Sequence, residues 1–334
     1  KSTKEFTDYD FEGSNLQVVL NLISYQAQVN AYSTNMIANE SFLASASLRD
    51  NVVANANTIG YLPTSARASH SLVSFSFQLS ENDFPAGFPP AVDILPGAAF
   101  TTANGQNNFT FNFVDTQTAP VASDGRVVFN NRDIYEGYYL REEFIVDKSN
   151  YNQKFKLRNQ GIDTTTIHVE VQENPNEETN KFYQQANGLV DVSEVSRVYW
   201  VEETNEEYYE LTFGDGLFGL PLTDGAKIQV SYLRTFGPVA NGIQGTNVFN
   251  FVSTNVFTSS GVRVQPNVST DAVTISSGGA NIESVESIKF RAPKYYGAQN
   301  RAVIADDYAT LVRQIYPSVD DIYVYGGEEL SIPE

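Results

Sequence analysis

Between Ser69 and Ser277, apolar and polar residues alternate in run after run, with no helical periodicity separating the runs. The clearest are Ser71–Leu79, Asn108–Phe113, Thr166–Val171, Arg197–Val201, Tyr208–Phe213 and Lys227–Tyr232. A period of two sends successive side chains to opposite faces, as in a half-buried strand. β-Branched and aromatic residues are frequent in these runs, and a pleated surface favours them. Parallel strands need long, usually helical crossovers, and none is visible, so the sheets are expected to be mainly antiparallel. Ile94-Leu95-Pro96-Gly97 reads as a turn leading to Phe100.

One stretch within this region is unusually dense in turn residues: Phe213-Gly214-Asp215-Gly216, then Gly219, Pro221 and Gly225. With a strand pattern on either side, it predicts a structural hairpin, glycine serving wherever φ is positive. A phosphate cradle would require a lysine, a hydroxyl and a following helix. An EF-hand-like loop would require more oxygen ligands than Asp215 and Asp224 supply.

Both ends read as helical. Ser14 is the expected N-cap of a first helix, with Gly13 turning the chain into it. Leu16, Val19, Leu20, Ile23 and Ala27 recur at three- and four-residue steps and share a face. Persisting to about Met36, that helix is roughly 35 Å long at about 1.5 Å per residue. The stripe fits either an intramolecular core or a bundle with another chain. A second pattern, Leu48, Val52, Val53, Ala56 and Ile59, stops at Gly60, and Pro63 prevents continuation. The small residues of the two helices suit close packing, but the pair would be marginal without further cover. Ile282 to about Tyr316 is again helical, with Glu283, Glu286 and Lys289 on one face and Val285, Ile288 and Phe290 apolar. Asp306 is the expected N-cap of its last part, and Pro317 ends it. Ile322-Tyr323-Val324-Tyr325 reads as the first strand of a further domain.

The 334 residues hold 21 Lys+Arg against 40 Asp+Glu, a formal net charge of −19. Such an acidic chain repels a phosphate backbone, so nucleic acid and anionic membrane are discounted as partners. Without cysteine there is no disulfide framework, zinc thiolate site or cysteine nucleophile. No apolar run reaches the roughly eighteen residues of a membrane helix, so no membrane insertion is expected. Lys1–Asp10 is polar and carries no signal-peptide pattern. With no initiator methionine, and a last segment just past a strand-like run, the expectation is part of a longer protein.

No catalytic, cofactor or metal site is predicted. His70 and His168 lie about a hundred positions apart beside strand patterns, and no G-x-S-x-G turn is present. The many glutamates before Phe213, including Glu177-Glu178 and Glu206-Glu207, fit solvated loops. In Tyr138-Tyr139 and Tyr208-Tyr209 one ring of each doublet is expected to face inward.

Three segments carry a family resemblance. The centre has F-G-D-G at Phe213–Gly216, then Gly219, Pro221, Gly225 and the Ile228-x-Val230-x-Tyr232 strand. The start has Asp8–Ser14, Asn39–Leu43 and Gly60–Ser65. The end has Gly278–Ser284, Asn300–Val303 and Asp306-Asp307-Tyr308. In this order they resemble the baseplate J-like family, and the start is similar to the wedge subunits of T4-like contractile-tailed phages. The resemblance implies a non-enzymatic structural subunit of a tail baseplate wedge, assembled in the host cytoplasm and resident in the virion. It would pair with a copy of itself and with other wedge proteins, join a ring around the hub near the sheath, and couple receptor signals to contraction. It also implies that Leu16, Val19, Leu20, Ile23 and Ala27 form a helical-bundle interface. A carbohydrate-binding tail protein or adhesin is the alternative, for which the β-rich middle and the tyrosines would fit; a tail hydrolase is a further one.

The expected fold is α+β. Residues 1–65 form a helical arm, 66–280 a mainly antiparallel β domain, and 281–334 a helical segment leading into a truncated domain.

Overall fold

A computed structural model describes residues 15–326 except 86, 105–106, 151–152, 175, 177–178, 187–191, 246–248, 299–300 and 316–320. Ser14, Pro317 and Glu177-Glu178 therefore lie outside the described residues, as does the Asp8–Ser14 motif.

The chain opens with α1 (Asn15–Glu40) and α2 (Arg49–Thr58). Strands β1 (His70–Gln78), β2 (Ala91–Ile94), β3 (Gly97–Asn104), β4 (Asn107–Phe113), β5 (Gln117–Pro120) and β6 (Arg126–Glu136) come next. Then follow β7 (Tyr138–Ile145), β8 (Phe155–Lys156), β9 (Ile162–Gln172), β10 (Lys181–Gln185), β11 (Val198–Glu203), β12 (Tyr209–Phe213) and β13 (Lys227–Arg234). The chain closes with β14 (Asn250–Phe251), β15 (Val256–Thr258), β16 (Ser269–Val273), α3 (Val285–Ala298) and α4 (Ala305–Ile315). This is the expected α+β order of helical arm, β middle and helical end.

The β region holds two cores. A six-stranded sheet, β14-β3-β4-β6-β1-β16, and a three-stranded sheet, β15-β2-β5, enclose the first. That core is built on phenylalanine: Phe75, Phe100, Phe111, Phe113 and Phe129 are fully buried. Phe75 stacks on Phe129 with centroids 4.7 Å apart, and it meets Phe100 edge-on at 5.5 Å; both are favoured aromatic arrangements. The second core lies under the seven-stranded sheet β7-β13-β9-β10-β11-β12-β8 and buries Leu157, Val171, Tyr199, Tyr209, Ile228 and Tyr232. All seven of its strands come from one continuous stretch, 138–234, inserted between β6 and β14. Among the named strands, β10 with β11 is the one parallel pair.

The hairpin expected at Phe213–Gly225 does not form. β12 and β13 are separated in the sheet by β11, β10 and β9. The loop between them closes on itself. Gly214 bridges to Pro221, and Gly216 donates to the Gly219 carbonyl at 3.1 Å. Positive φ at Gly216 (96°), Gly219 (83°) and Gly225 (74°) permits the path. Asp215 Oδ1 accepts the N–H groups of Leu217 and Phe218, both at 2.9 Å, and these bonds hold its carboxyl below the usual range. The motif is thus a turn, braced by bonds from Gly219 and Leu220 to the Ser193 and Ser196 carbonyls, that hands the chain from next to one edge of the sheet to next to the opposite edge.

A third, helical cluster packs Ala46, Val52, Val53 and Ala56 against Ile288 and Ala292, so α2 rests on α3 rather than on α1. Gly60, at φ 78°, ends α2 as expected. Asp306 is not the N-cap of α4. It lies inside the first turn near Lys294, while the Asp307 carboxylate accepts the N–H groups of Val303 and Ile304 at 3.1 and 3.0 Å. Residues 322–325 adopt no strand. In the sheets, Tyr209 faces inward while Tyr138 is exposed.

Candidate interaction surface

α1 contains neither Asp, Glu, Lys nor Arg from Asn15 to Asn39. Its 26 residues span about 39 Å at about 1.5 Å each. Leu16 is half-buried, and every residue from Val18 to Asn39 is exposed. The five predicted interface residues all lie on α1; Leu16 is half-buried and the other four are exposed. Leu20 is 49% exposed and Ile23 59%; Val19 and Ala27 are exposed beside them.

A second stripe escaped the sequence reading. Val18, Leu22, Tyr25, Val29, Tyr32 and Met36 follow one another at steps of four, three, four, three and four residues. At about 100° per residue this stripe lies opposite the first, and its alternating steps are the spacing of a coiled-coil seam. Leu22 is 67% exposed and Tyr32 70%. The signal was present in the spacing, but the intervening Gln and Asn residues mask it when attention stays on one face. A helix that is apolar on two opposite sides belongs in the interior of a packed assembly. Yet no helix of the described residues is long and apolar enough to cross a membrane.

The base of α1 is firmly held. Glu40 Oε1 accepts the Ser47 N–H at 2.9 Å and the Ser47 hydroxyl at 2.6 Å; Oε2 accepts the Leu48 N–H at 3.2 Å and the Asn51 amide at 2.9 Å. One turn further, Arg49 reaches Glu203 on β11 through two contacts, Nε to Oε1 at 2.8 Å and Nη2 to Oε2 at 3.0 Å. Its Nη1 donates to the Glu283 carbonyl. Burial pushes the Glu203 carboxyl up, and Arg49 opposes that rise. Glu210, also buried, meets Lys154 Nζ at 2.9 Å. These two glutamates correct the expectation that the acidic stretch before Phe213 is wholly solvated; Glu202 and Glu206 are exposed as expected.

The histidines stay apart from any such cluster. His168 Nε2 lies 3.6 Å from Asp115, and the His70 ring sits beside Tyr135. Among the described residues no group of three or more His, Asp or Glu is arranged to hold a metal ion.

Two comparisons bear on this geometry. Residues 1–61, the segment that contains α1 and α2, match the family described as baseplate wedge protein gp6-like, helical domain. Over 331 residues, 94% of the chain, it is 28% identical to the baseplate wedge protein gp6 of Enterobacteria phage T4. The alignment covers 48% of that protein, so the chain spans about half the length of the curated relative it matches.

Proposed function

We infer that this chain is a structural subunit of a contractile-tail baseplate wedge, resident in the virion after assembly in the host cytoplasm. Its role is to build the ring around the hub that links receptor signals to sheath contraction, and it performs no bond chemistry. The motifs at its centre and end make the baseplate J-like family the finer assignment. Within 1–65, α1 acts as the docking arm, while α2 packs on α3 and belongs with the body formed by 66–280.

The observation that carries the reading is the bare, uncharged α1 with an apolar stripe on each of two opposite sides. An isolated helix in water gains little from propensity alone and depends on packing. Two stripes call for two neighbours, which fits a bundle made with a second copy of this chain and a helix of another wedge protein. An uncharged contact surface also spares two strongly acidic chains from close repulsion.

The test is co-purification with the wedge proteins of the same virus. Leu20→Asp with Ile23→Asp, and separately Leu22→Asp with Tyr32→Asp, place charges in the two seams. Each buried aliphatic residue contributes about 1.5–3 kcal/mol, so either pair should abolish at least one association while the body melts as before. Undiminished binding of every partner by both variants would refute the assignment.

A further inference from the structure

Among the described residues, α1 is joined to the body at its C-terminal end. From Val18 to Asn39 nothing in the described body covers it, so its direction is set at its C-terminal end. There the segment 41–48 has two distinct anchors. One is apolar: Ala46 is fully buried, and Leu43 packs against the α2–α3 cluster. The other is polar and converges on Glu40, whose two carboxylate oxygens collect four donors from Ser47, Leu48 and Asn51. The Asn55 amide adds a fifth bond, to the Glu40 carbonyl at 3.3 Å. Without the Glu40 carboxylate, the apolar anchor would still hold the turn to the body, while α1 would lose four bonds and keep the single bonds from Asn55 to the Glu40 carbonyl and from Ser45 Oγ to the Asn39 carbonyl.

We propose that Glu40 is a latch that fixes the angle of the α1 arm on the body, and that 41–48 is the hinge about which the arm swings when the latch opens. The local chemistry suits a latch. Leu48, at the N-cap of α2, supplies no side-chain cap, and the Glu40 carboxylate lies beside that helix start, accepting the N–H groups of Ser47 and Leu48. A negative charge near a helix N-terminus is favourable. The Ser47 hydroxyl, then Asn51 and the Ser47 amide, hold the Glu40 carboxyl down to about 2, so the latch is charged and closed at neutral pH. Two further links bind the start of the turn to the end of α1: Ser41 Oγ donates to the Ile37 carbonyl at 2.7 Å and Ser45 Oγ to the Asn39 carbonyl at 2.6 Å. They preserve the last turn of α1 while the arm moves as a rigid rod.

The chain has no cysteine, so spin labels can be placed at will. Ser33→Cys on α1 and Lys181→Cys on β10 are both exposed. Pulsed electron–electron resonance on labelled protein diluted into unlabelled protein reads the intramolecular distance. With Glu40 intact one narrow distribution is expected. Glu40→Ala should broaden it and shift its mean, and Glu40→Gln, which loses acceptors and gains a misplaced donor, should do so partly. Ser47→Ala with Asn51→Ala, which leaves the carboxylate but removes two of its side-chain donors, provides an independent opening of the same latch. Unchanged distributions in these variants, with the body melting normally, would overturn the proposal. Broadening in the wild type equal to that in Glu40→Ala would overturn it as well.

Discussion

Arg49 joins the helical cluster to the seven-stranded sheet, and its removal should be costly. The Glu203 side chain is 1% exposed and that of Arg49 17%. Arg49→Met keeps the aliphatic stem but leaves Glu203 ionised, buried and without its counter-charge, while Asp50 and Glu207 already raise its carboxyl pKa. Breaking a buried pair from one side typically costs about 3–5 kcal/mol, because the abandoned charge remains desolvated. The lost Arg49 bond to the Glu283 carbonyl adds to this. The direction with pH follows from the same burial. The Glu203 pKa is raised in the folded state, so folding favours its protonated form, and stability falls as pH rises from the ordinary carboxyl range through the folded pKa. Without Arg49 that pKa rises further, so the deficit of Arg49→Met should be larger near neutral pH than in mild acid. Urea unfolding followed by Trp200, the sole tryptophan, reads the effect from β11 itself. Adding Glu203→Gln to Arg49→Met removes the stranded charge and should recover most of the loss. A deficit below about 1 kcal/mol, the scale of an exposed pair, or one independent of pH, would refute the reasoning.

Two further perturbations test the β region. Glu136 is fully buried at the junction of the two β units, where it accepts from the Thr235 hydroxyl at 2.7 Å, and its Oε1 has no partner. Burial raises its carboxyl pKa, so the wild type loses stability as pH rises through the folded value; Glu136→Gln should flatten that slope and melt higher than wild type at about pH 8 but not at about pH 4. Equal slopes would refute this. A methyl group at Gly214 would collide with the Gly219 backbone, so Gly214→Ala should cost about 1–3 kcal/mol through overpacking; an unchanged urea midpoint would show that the loop opens freely.

Much of the fold was legible because half-buried antiparallel strands alternate strictly, and β1, β4, β9, β11 and β13 fall on the alternating runs. Pairing was less legible than strand identity. Glycine and proline mark the turn at 213–225 equally well whether its flanking strands pair with each other or elsewhere, and only the sheet order separates the cases. Arg49 and Glu203 are 154 positions apart, so neither sequence neighbourhood points to the other. Asp306 and Asp307 are chemically alike, and side-chain direction alone decided which one reaches back. On α1 the first stripe was read correctly as shared-face residues, while the second needed the helix to be seen uncovered on all sides. Ile322–Tyr325 alternates like a strand yet forms none: no strand among the described residues pairs with it, and alternation alone supplies no hydrogen-bond partner.

The stretch 138–234 enters and leaves the surrounding β unit through a single doorway. Tyr138 pairs with Arg234 across the first rung of the inserted sheet, and a side chain at Gly137 would strike the Arg234 carbonyl. Directly opposed antiparallel residues are only about 5 Å apart at Cα. A host whose cut ends lie that close scarcely notices what is carried between them. The phenylalanine core is thus interrupted at one point only, and what fastens the inserted sheet elsewhere is polar: Glu203 to Arg49 and the Asp163 carboxylate to the Ala68 N–H.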